Sequence, residues 1–425
     1  MSALIVFGIF TVLLLLNVPI ALALAFSSIA SLIYEELPFS MIPSNLYSST
    51  GKFVLLAIPF FILGGNVMEK SGISTRLIEF CRTLVGHRKG GMALVCVIVA
   101  CFFAAISGSG PATVAALGMI LIPAMTDTGY EKGYATALVT SAGAIGIVIP
   151  PSITFVVYGS ITGKSVGALF ASGIGPGVLI GFMLVVAMQM VSRKRKLTLL
   201  PKATMKERWV AFKDAFWGLL MPVIILGGIY GGFFTPTEAA AVAAAYGLFV
   251  ALFIYRSMTF KDILPLVRGT VSQTAVVMYI VGAASLFSWI LTVTGIAADS
   301  SNLLISLCGG NKYIFLLIVN IILLIAGCFI DPSSACYILV PILYPVAMML
   351  GIDGVHLGAI MVANLSIGLI TPPVGTNLYV GCGIANINLK EMSRCVLPFI
   401  ISGIIAVLLT TYVPAFSMFL PSFLN

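Results

Sequence analysis

The sequence predicts an all-α multi-pass membrane protein built as an inverted repeat, with two re-entrant helical hairpins and two broken helices. Composition, a duplicated break inside apolar segments, and the placement of basic residues predict it. Of 425 residues, 60% are hydrophobic and 8% charged, and the mean hydropathy is +1.15. Runs such as Ile5 to Leu16, Met92 to Ile106 and Tyr313 to Phe329 hold no charge, and many extend towards the roughly 20 residues a bilayer crossing requires. The first run has no Lys or Arg before it and stays apolar to about Ile33. That is longer than a signal-peptide core, so a retained helix is expected.

In order, the apolar segments lie at 3–33, 52–69, 90–107, 111–127, 134–163, 173–192, 215–234, 238–255, 270–294, 312–330, 333–350, 355–385 and 395–420. With the N-terminus in the cytoplasm, the loops between them place nineteen of the 22 Lys and Arg residues inside, and only Lys52, Lys164 and Lys312 outside. This is a strong positive-inside bias, and it leaves the C-terminus outside. The net charge of +8 therefore reports topology. No basic stretch interleaved with aromatics points to nucleic acid. Eight cysteines without a Cys-x-x-Cys, and only two histidines, exclude a disulfide framework and a zinc site.

The segments at 134–163 and 355–385 are each interrupted by Pro-Pro in the same setting: Gly146-Ile-Val-Ile-Pro150-Pro151-Ser152-Ile-Thr154 and Gly368-Leu-Ile-Thr371-Pro372-Pro373-Val-Gly375-Thr376-Asn377. A proline inside a helix costs roughly 3 kcal/mol and removes a donor, so a pair stops the helix and frees carbonyls. In a membrane such backbone persists only where protein buries it or a polar cavity solvates it. Paired interruptions in two halves of a chain mark the binding site of a secondary transporter. The halves also share Gly72 with Gly295, Pro111 with Pro332, and Gly129 with Gly351, at offsets of 221 to 223. Three intervening spans invert the second copy.

Each half then reads as a span, a surface segment (72–86 or 296–310), a hairpin and a broken helix. The hairpin turns are polar and nearly uncharged: Ser107-Gly108-Ser109-Gly110-Pro111-Ala-Thr113 and Asp331-Pro332-Ser333-Ser334. Pro stands where each second arm begins, with Ser109 or Gly110, and Asp331, placed as N-caps. Crossing parity does not distinguish re-entrant arms from complete spans.

Turns and breaks together offer helix N-termini and hydroxyls for an anion, and carbonyls with Ser, Thr or Asn oxygens for a hard cation such as Na+. Proton coupling needs a titratable residue in the membrane; Asp331 is the one beside these turns, and capping accounts for it. Sodium is expected at Ser107, Gly108, Ser109, Gly110, Pro150, Ser152, Asp331, Ser333, Thr371, Gly375 and Thr376. A substrate is expected at Thr113, Thr154, Ser334, Asn364 and Asn377. Glu238 reads as the third position of a capping box with Thr235 and Pro236. Asn45, Asn66, Gln273 and Asn320 suit helix-to-helix hydrogen bonds. A channel gives no reason for two inverted broken repeats, and Ser107 and Ser109 have no His or Lys in their own segment to serve an enzyme.

The Ser107 turn, Ile149-Pro-Pro-Ser152, Gly232-Phe-Phe-Thr235-Pro-Thr-Glu-Ala-Ala-Ala, Asp331-Pro332 followed by Pro341 and Pro345, and Thr371-Pro-Pro-Val-Gly-Thr-Asn377 together resemble the large membrane subunit of the tripartite ATP-independent periplasmic (TRAP) transporters. The resemblance spans nearly the whole chain. It implies a bacterial inner-membrane elevator-type transporter, not an enzyme, driven by a sodium gradient. It also implies a separate small four-helix membrane subunit, a periplasmic binding protein that sets selectivity, and a carboxylate substrate such as sialic acid or a C4-dicarboxylate. On this reading 1–70 holds scaffold helices, 71–172 the first transport repeat, 173–269 scaffold spans and a basic loop, 270–311 a scaffold span and surface segment, 312–390 the second transport repeat, and 391–425 the last span. A related carrier working without a binding protein is the alternative.

Overall fold

The apolar segments form helices throughout the computed structural model, which describes residues 2–193 and 197–424. Lys194, Arg195 and Lys196 of the expected basic loop lie outside the described residues. Among those described, nine helices are long and apolar enough to cross a membrane.

One part of the molecule is built on small residues. Helix Pro236–Phe249 buries Ala240, Ala243, Ala244 and Gly247 against helix Ala57–Lys70. A methyl group on Gly64 would stand 3.7 Å from the Ala244 nitrogen, and one on Gly247 3.2 Å from Val67, so the backbones approach as small-residue interfaces in membranes allow. Helix Met205–Tyr230 packs on the surface helix Ile73–Val85, and helix Phe260–Val293 on Ile20–Tyr34. Ile73–Val85 is amphipathic: Ile73, Leu77, Ile78 and Cys81 are buried, as their helical spacing requires. It starts at Gly72 and its repeat mate Ile296–Cys308 at Gly295, both left-handed at φ 71° and 77°, a conformation glycine adopts without penalty. The sequence repeat is therefore a repeat of backbone geometry.

The second part holds the hairpins Gly91–Ser107/Gly110–Asp127 and Lys312–Phe329/Pro332–Met349. The broken helices are Lys132–Ala144, extended by a 3-10 turn Ile145–Ile147, with Ile153–Thr162, and Gly354–Gly368 with Thr376–Ala385. Helix Leu389–Tyr412 runs between the bases of the two hairpins. A methyl on Gly133 would meet Cys395 at 2.7 Å, while at the other end Thr411 meets His356. The base of the second hairpin also lies by the far end of Ile153–Thr162, where the Tyr158 hydroxyl donates to the Gly354 carbonyl at 2.7 Å. The hairpins thus enter from opposite ends of the bundle, as an inverted repeat demands.

Four expectations need correction. Segment 3–33 is not one span but two packed helices, Ser2–Leu15 and Ile20–Tyr34. Asn17 at φ 61° turns the chain, while its amide and that of Val18 satisfy the Leu14 and Leu13 carbonyls, a Schellman-type ending. The expected cytoplasmic N-terminus was counted from a single crossing at 3–33, where the structure has two helices. Residues 34–51 include a helix, Met41–Thr50, packed on Phe260–Val293; its mixed polarity hid it from an apolar search. The boundaries at 172/173 and 269/270 fall inside helices Val166–Ser192 and Phe260–Val293. Those helices extend beyond the stretches picked out by apolarity, the latter through Lys261, Asp262 and Arg268.

Candidate functional site

At the first turn, helix Gly91–Ser107 ends on Gly108 at φ 61°. Ser109 is the N-cap of Gly110–Asp127, with Pro111 in its first turn. The Ser109 hydroxyl caps nothing. The Ser107 hydroxyl instead folds over the turn, 2.8 Å from the Thr113 hydroxyl and 3.3 Å from the Ser109 carbonyl, and Thr113 also donates to that carbonyl at 2.8 Å. The free amides of the second arm therefore keep their field, with a hydroxyl pair beside them.

This turn sits on the first break. A methyl group on Gly146 would stand 2.7 Å from both the Ser109 carbonyl oxygen and the Thr113 hydroxyl, and one on Gly108 2.9 Å from the Pro151 carbonyl oxygen. Pro150 and Pro151 are buried. Ser152 caps Ile153–Thr162, accepting from the Phe155 amide at 3.4 Å while donating to the Ile147 carbonyl. Thr154 is buried one residue into that helix. The break is the midpoint of segment 132–162, so a turn lodged there ends at mid-depth. A hairpin of complete spans would carry its turn to the level of Thr162. The arms are re-entrant.

The second turn repeats the plan with a different cap. Asp331 accepts from the Ser333 and Ser334 amides, each at 3.0 Å, and from the Ser334 hydroxyl; Pro332 follows at the first helical position. The capping role expected for Asp331 is observed. Gly327 packs directly on Gly368, where an added methyl would stand 3.0 Å from its α-carbon, and the Gly375 amide donates to the Cys328 carbonyl at 3.4 Å. Thr371 donates back to the Ile367 carbonyl at 2.7 Å. Thr376 is exposed and Gly375 is left-handed at φ 49°. Both Pro-Pro bonds are cis.

The structure thus brings Ser107, Gly108, Ser109, Gly110, Thr113, Pro150 and Ser152 together at one break, and Asp331, Ser333, Ser334, Thr371, Gly375 and Thr376 about the other. Asn377 belongs to both: it lies in the second break yet donates to the Thr140 carbonyl of the first broken helix at 3.3 Å. Asn364 goes elsewhere. Its amide donates to Asn320 at 2.7 Å, and Thr411 donates to the same Asn320 oxygen at 3.1 Å, halfway along the hairpin arm. Asn66 likewise bonds Thr270 and Gln273 across helices, and Thr235 with Glu238 forms the expected capping box. Sequence reasoning missed Thr140, whose buried hydroxyl has no partner. The adjacent polar pair Thr140-Ser141 inside an apolar segment was its signal.

Neither turn holds a catalytic pair, and the described residues contain no group of metal-binding side chains of the His, Cys or carboxylate type. None of the eight cysteines is in a disulfide. The arrangement offers converging helix ends, hydroxyls and carbonyls, suited to a hard monovalent cation and a small anion.

The fold is found in a solved transporter, YdaH of Alcanivorax borkumensis, with a TM-score of 0.64 at 16% identity, covering 91% of this chain and 89% of that one. In sequence the chain is 46% identical over 381 residues to the C4-dicarboxylate TRAP transporter large permease protein DctM of Pseudomonas aeruginosa, covering 90% of this chain and 89% of that protein. It is 36% identical over 410 residues to the sialic acid TRAP transporter large permease protein SiaM of Vibrio cholerae, covering 96% of each. The model of the tripartite ATP-independent periplasmic transporter DctM component matches residues 7–416, and the chain belongs to that family.

Proposed function

We propose that this chain is the large membrane subunit of a sodium-coupled importer of a small organic anion, a carboxylate such as a C4-dicarboxylate or sialic acid. A periplasmic binding protein delivers the substrate, and a small four-helix membrane subunit completes the membrane unit. The observation that carries the reading is the lodging of each hairpin turn at a mid-helix break, the two entering from opposite ends. Sodium occupies the two turn-and-break clusters, and the substrate lies near Thr113, Thr154, Ser334 and Asn377. Among the described residues no Lys or Arg stands beside either turn, so the anion meets helix ends, hydroxyls and the bound cations. Relatives named for different acids match this chain along nearly its whole length, at 46% and 36% identity, in keeping with selectivity set by the binding protein.

The hairpins and broken helices form the moving part of an elevator. Helix Ala57–Lys70 lies beside it, with a methyl on Gly65 only 3.4 Å from the Ser107 α-carbon. The protein resides in a bacterial inner membrane. Its C-terminus is extracytoplasmic, and so is its N-terminus, because the helices Ser2–Leu15 and Ile20–Tyr34 return the chain to the side of Lys52. Each sodium moving inward down 100 mV contributes about 2.3 kcal/mol, so more than one concentrates a monovalent anion substantially.

The test is uptake into proteoliposomes holding both membrane subunits, with sodium, membrane potential and binding protein varied independently. Uptake that needs sodium and the binding protein is expected. Uptake without any binding protein would instead favour a self-sufficient carboxylate carrier.

A further inference from the structure

Asn377 occupies a position where the two halves of the repeat differ. In the second copy it follows Thr376; in the first, the residue after Thr154 is Phe155. Phe155 is buried and packs on Gly173, as an ordinary apolar anchor. Asn377 is equally buried, at 0% exposure, yet it is polar and only half satisfied. Its side-chain nitrogen donates to the Thr140 carbonyl, while its side-chain oxygen has no partner. A buried acceptor left unpaired is costly and calls for an explanation.

The surroundings supply one. A methyl group on Gly110 would stand 3.0 Å from the Asn377 oxygen, so that oxygen looks onto the amide end of the first hairpin's second arm. The Asn377 amide donates to the Leu369 carbonyl at 3.1 Å, and Gly375, two residues before, donates to Cys328 on the second hairpin. One turn later, a methyl on Gly381 would overlap the Thr140 hydroxyl. The chain 375–377 therefore touches the second hairpin at one end and the first hairpin and first broken helix at the other.

We propose that Asn377 is the joint that couples the two sodium clusters, so that filling one raises the affinity of the other. The inference rests on the two-cluster reading above and adds a regulation to it. A cation at the second break fixes Gly375 and Thr376, which sets Asn377 against Gly110 and Thr140 and pre-forms the first turn. Asn377 is a positioning residue in this account. Coupling of this kind is reciprocal, and factors of roughly 5 to 150 are usual.

The experiment is sodium titration by calorimetry of the purified two-subunit membrane complex, for wild type, Asn377→Ala, Ser107→Ala, Thr371→Ala and the double variants with Asn377→Ala. Wild type is expected to bind sodium with a Hill coefficient above one. Asn377→Ala should bring it to one with the number of sites kept, and the double variants should bind as each cluster does alone. An unchanged Hill coefficient overturns the proposal, as does loss of one site, which would make Asn377 a ligand. If wild type itself binds no sodium, the two-cluster reading fails, a separate outcome. Should Asn377→Ala not yield folded complex, Gly110→Ala presses a methyl on the same oxygen. It is expected to lower cooperativity in the same way, and a normal Hill coefficient in that variant sinks the joint.

Discussion

The carbonyl oxygen of Pro151 stands where a side chain on Gly108 would have to go, 2.9 Å from the position of an added methyl. Two residues 43 positions apart, one in a hairpin turn and one in a helix break, thus share a single point at the break. Gly108 is also left-handed at φ 61°. The contact fixes the depth of the hairpin and makes its geometry intolerant of change.

Gly108→Ala is therefore expected to cost at least about 1 kcal/mol from the left-handed backbone alone, with the collision added. Thermal unfolding of the purified complex should show the loss, and sodium-dependent uptake should fall with it. A variant as stable and active as wild type would separate the turn from the break.

Ser107→Ala removes a hydroxyl that bridges Thr113 and the Ser109 carbonyl. Ser109→Ala and Thr376→Ala remove hydroxyls that hold no structural bond. Loss of a ligand oxygen worth about 1.4 kcal/mol raises the sodium concentration for half-maximal uptake roughly tenfold. Ser109→Ala and Thr376→Ala should do so with unfolding temperature unchanged, whereas Ser107→Ala should raise that concentration and lower the unfolding temperature as well. Sodium activation that stays as in wild type for all three refutes the assignment.

Lys52 donates to the Ser160 carbonyl at 2.7 Å, in the last turn of Ile153–Thr162, where a cation is favoured by up to about 1 kcal/mol. The bond joins the segment before Ala57–Lys70 to a broken helix that an elevator must carry away from it. Lys52→Met should leave the protein folded and shift the balance between its two positions by up to about fivefold. Spin-label distances between Ala57–Lys70 and Ile153–Thr162 would report this, and an identical distribution would count against a moving domain.

Asn364→Ala should lower stability by about 1–2 kcal/mol, because it leaves Asn320 and Thr411 with an incomplete network. The substrate concentration for half-maximal uptake should stay as in wild type. A large rise in that concentration without loss of stability would return Asn364 to the substrate site.

Much of the architecture was legible because the bilayer imposes one-dimensional rules. Apolar length marks spans, Pro-Pro marks breaks, and basic residues mark the inner face. Asp331 and Glu238 were legible as caps because capping depends on neighbours within three residues. Segment 3–33 was misread because the αL turn at Asn17, a conformation that asparagine tolerates, shows in the sequence only as one polar residue between two apolar runs. The bond that Asn364 makes was not legible, because its partner Asn320 is 44 residues away.

By itself, then, the sequence determined that the chain is a membrane protein with an inverted repeat, and which backbone groups the prolines set free. Only the tertiary structure decided where those groups go. Hairpin depth follows from Gly108 meeting Pro151, and the crossing of the halves from Asn377 meeting Thr140. Both are contacts between small or polar groups far apart in the chain, and their energy depends on close approach, which no local pattern records.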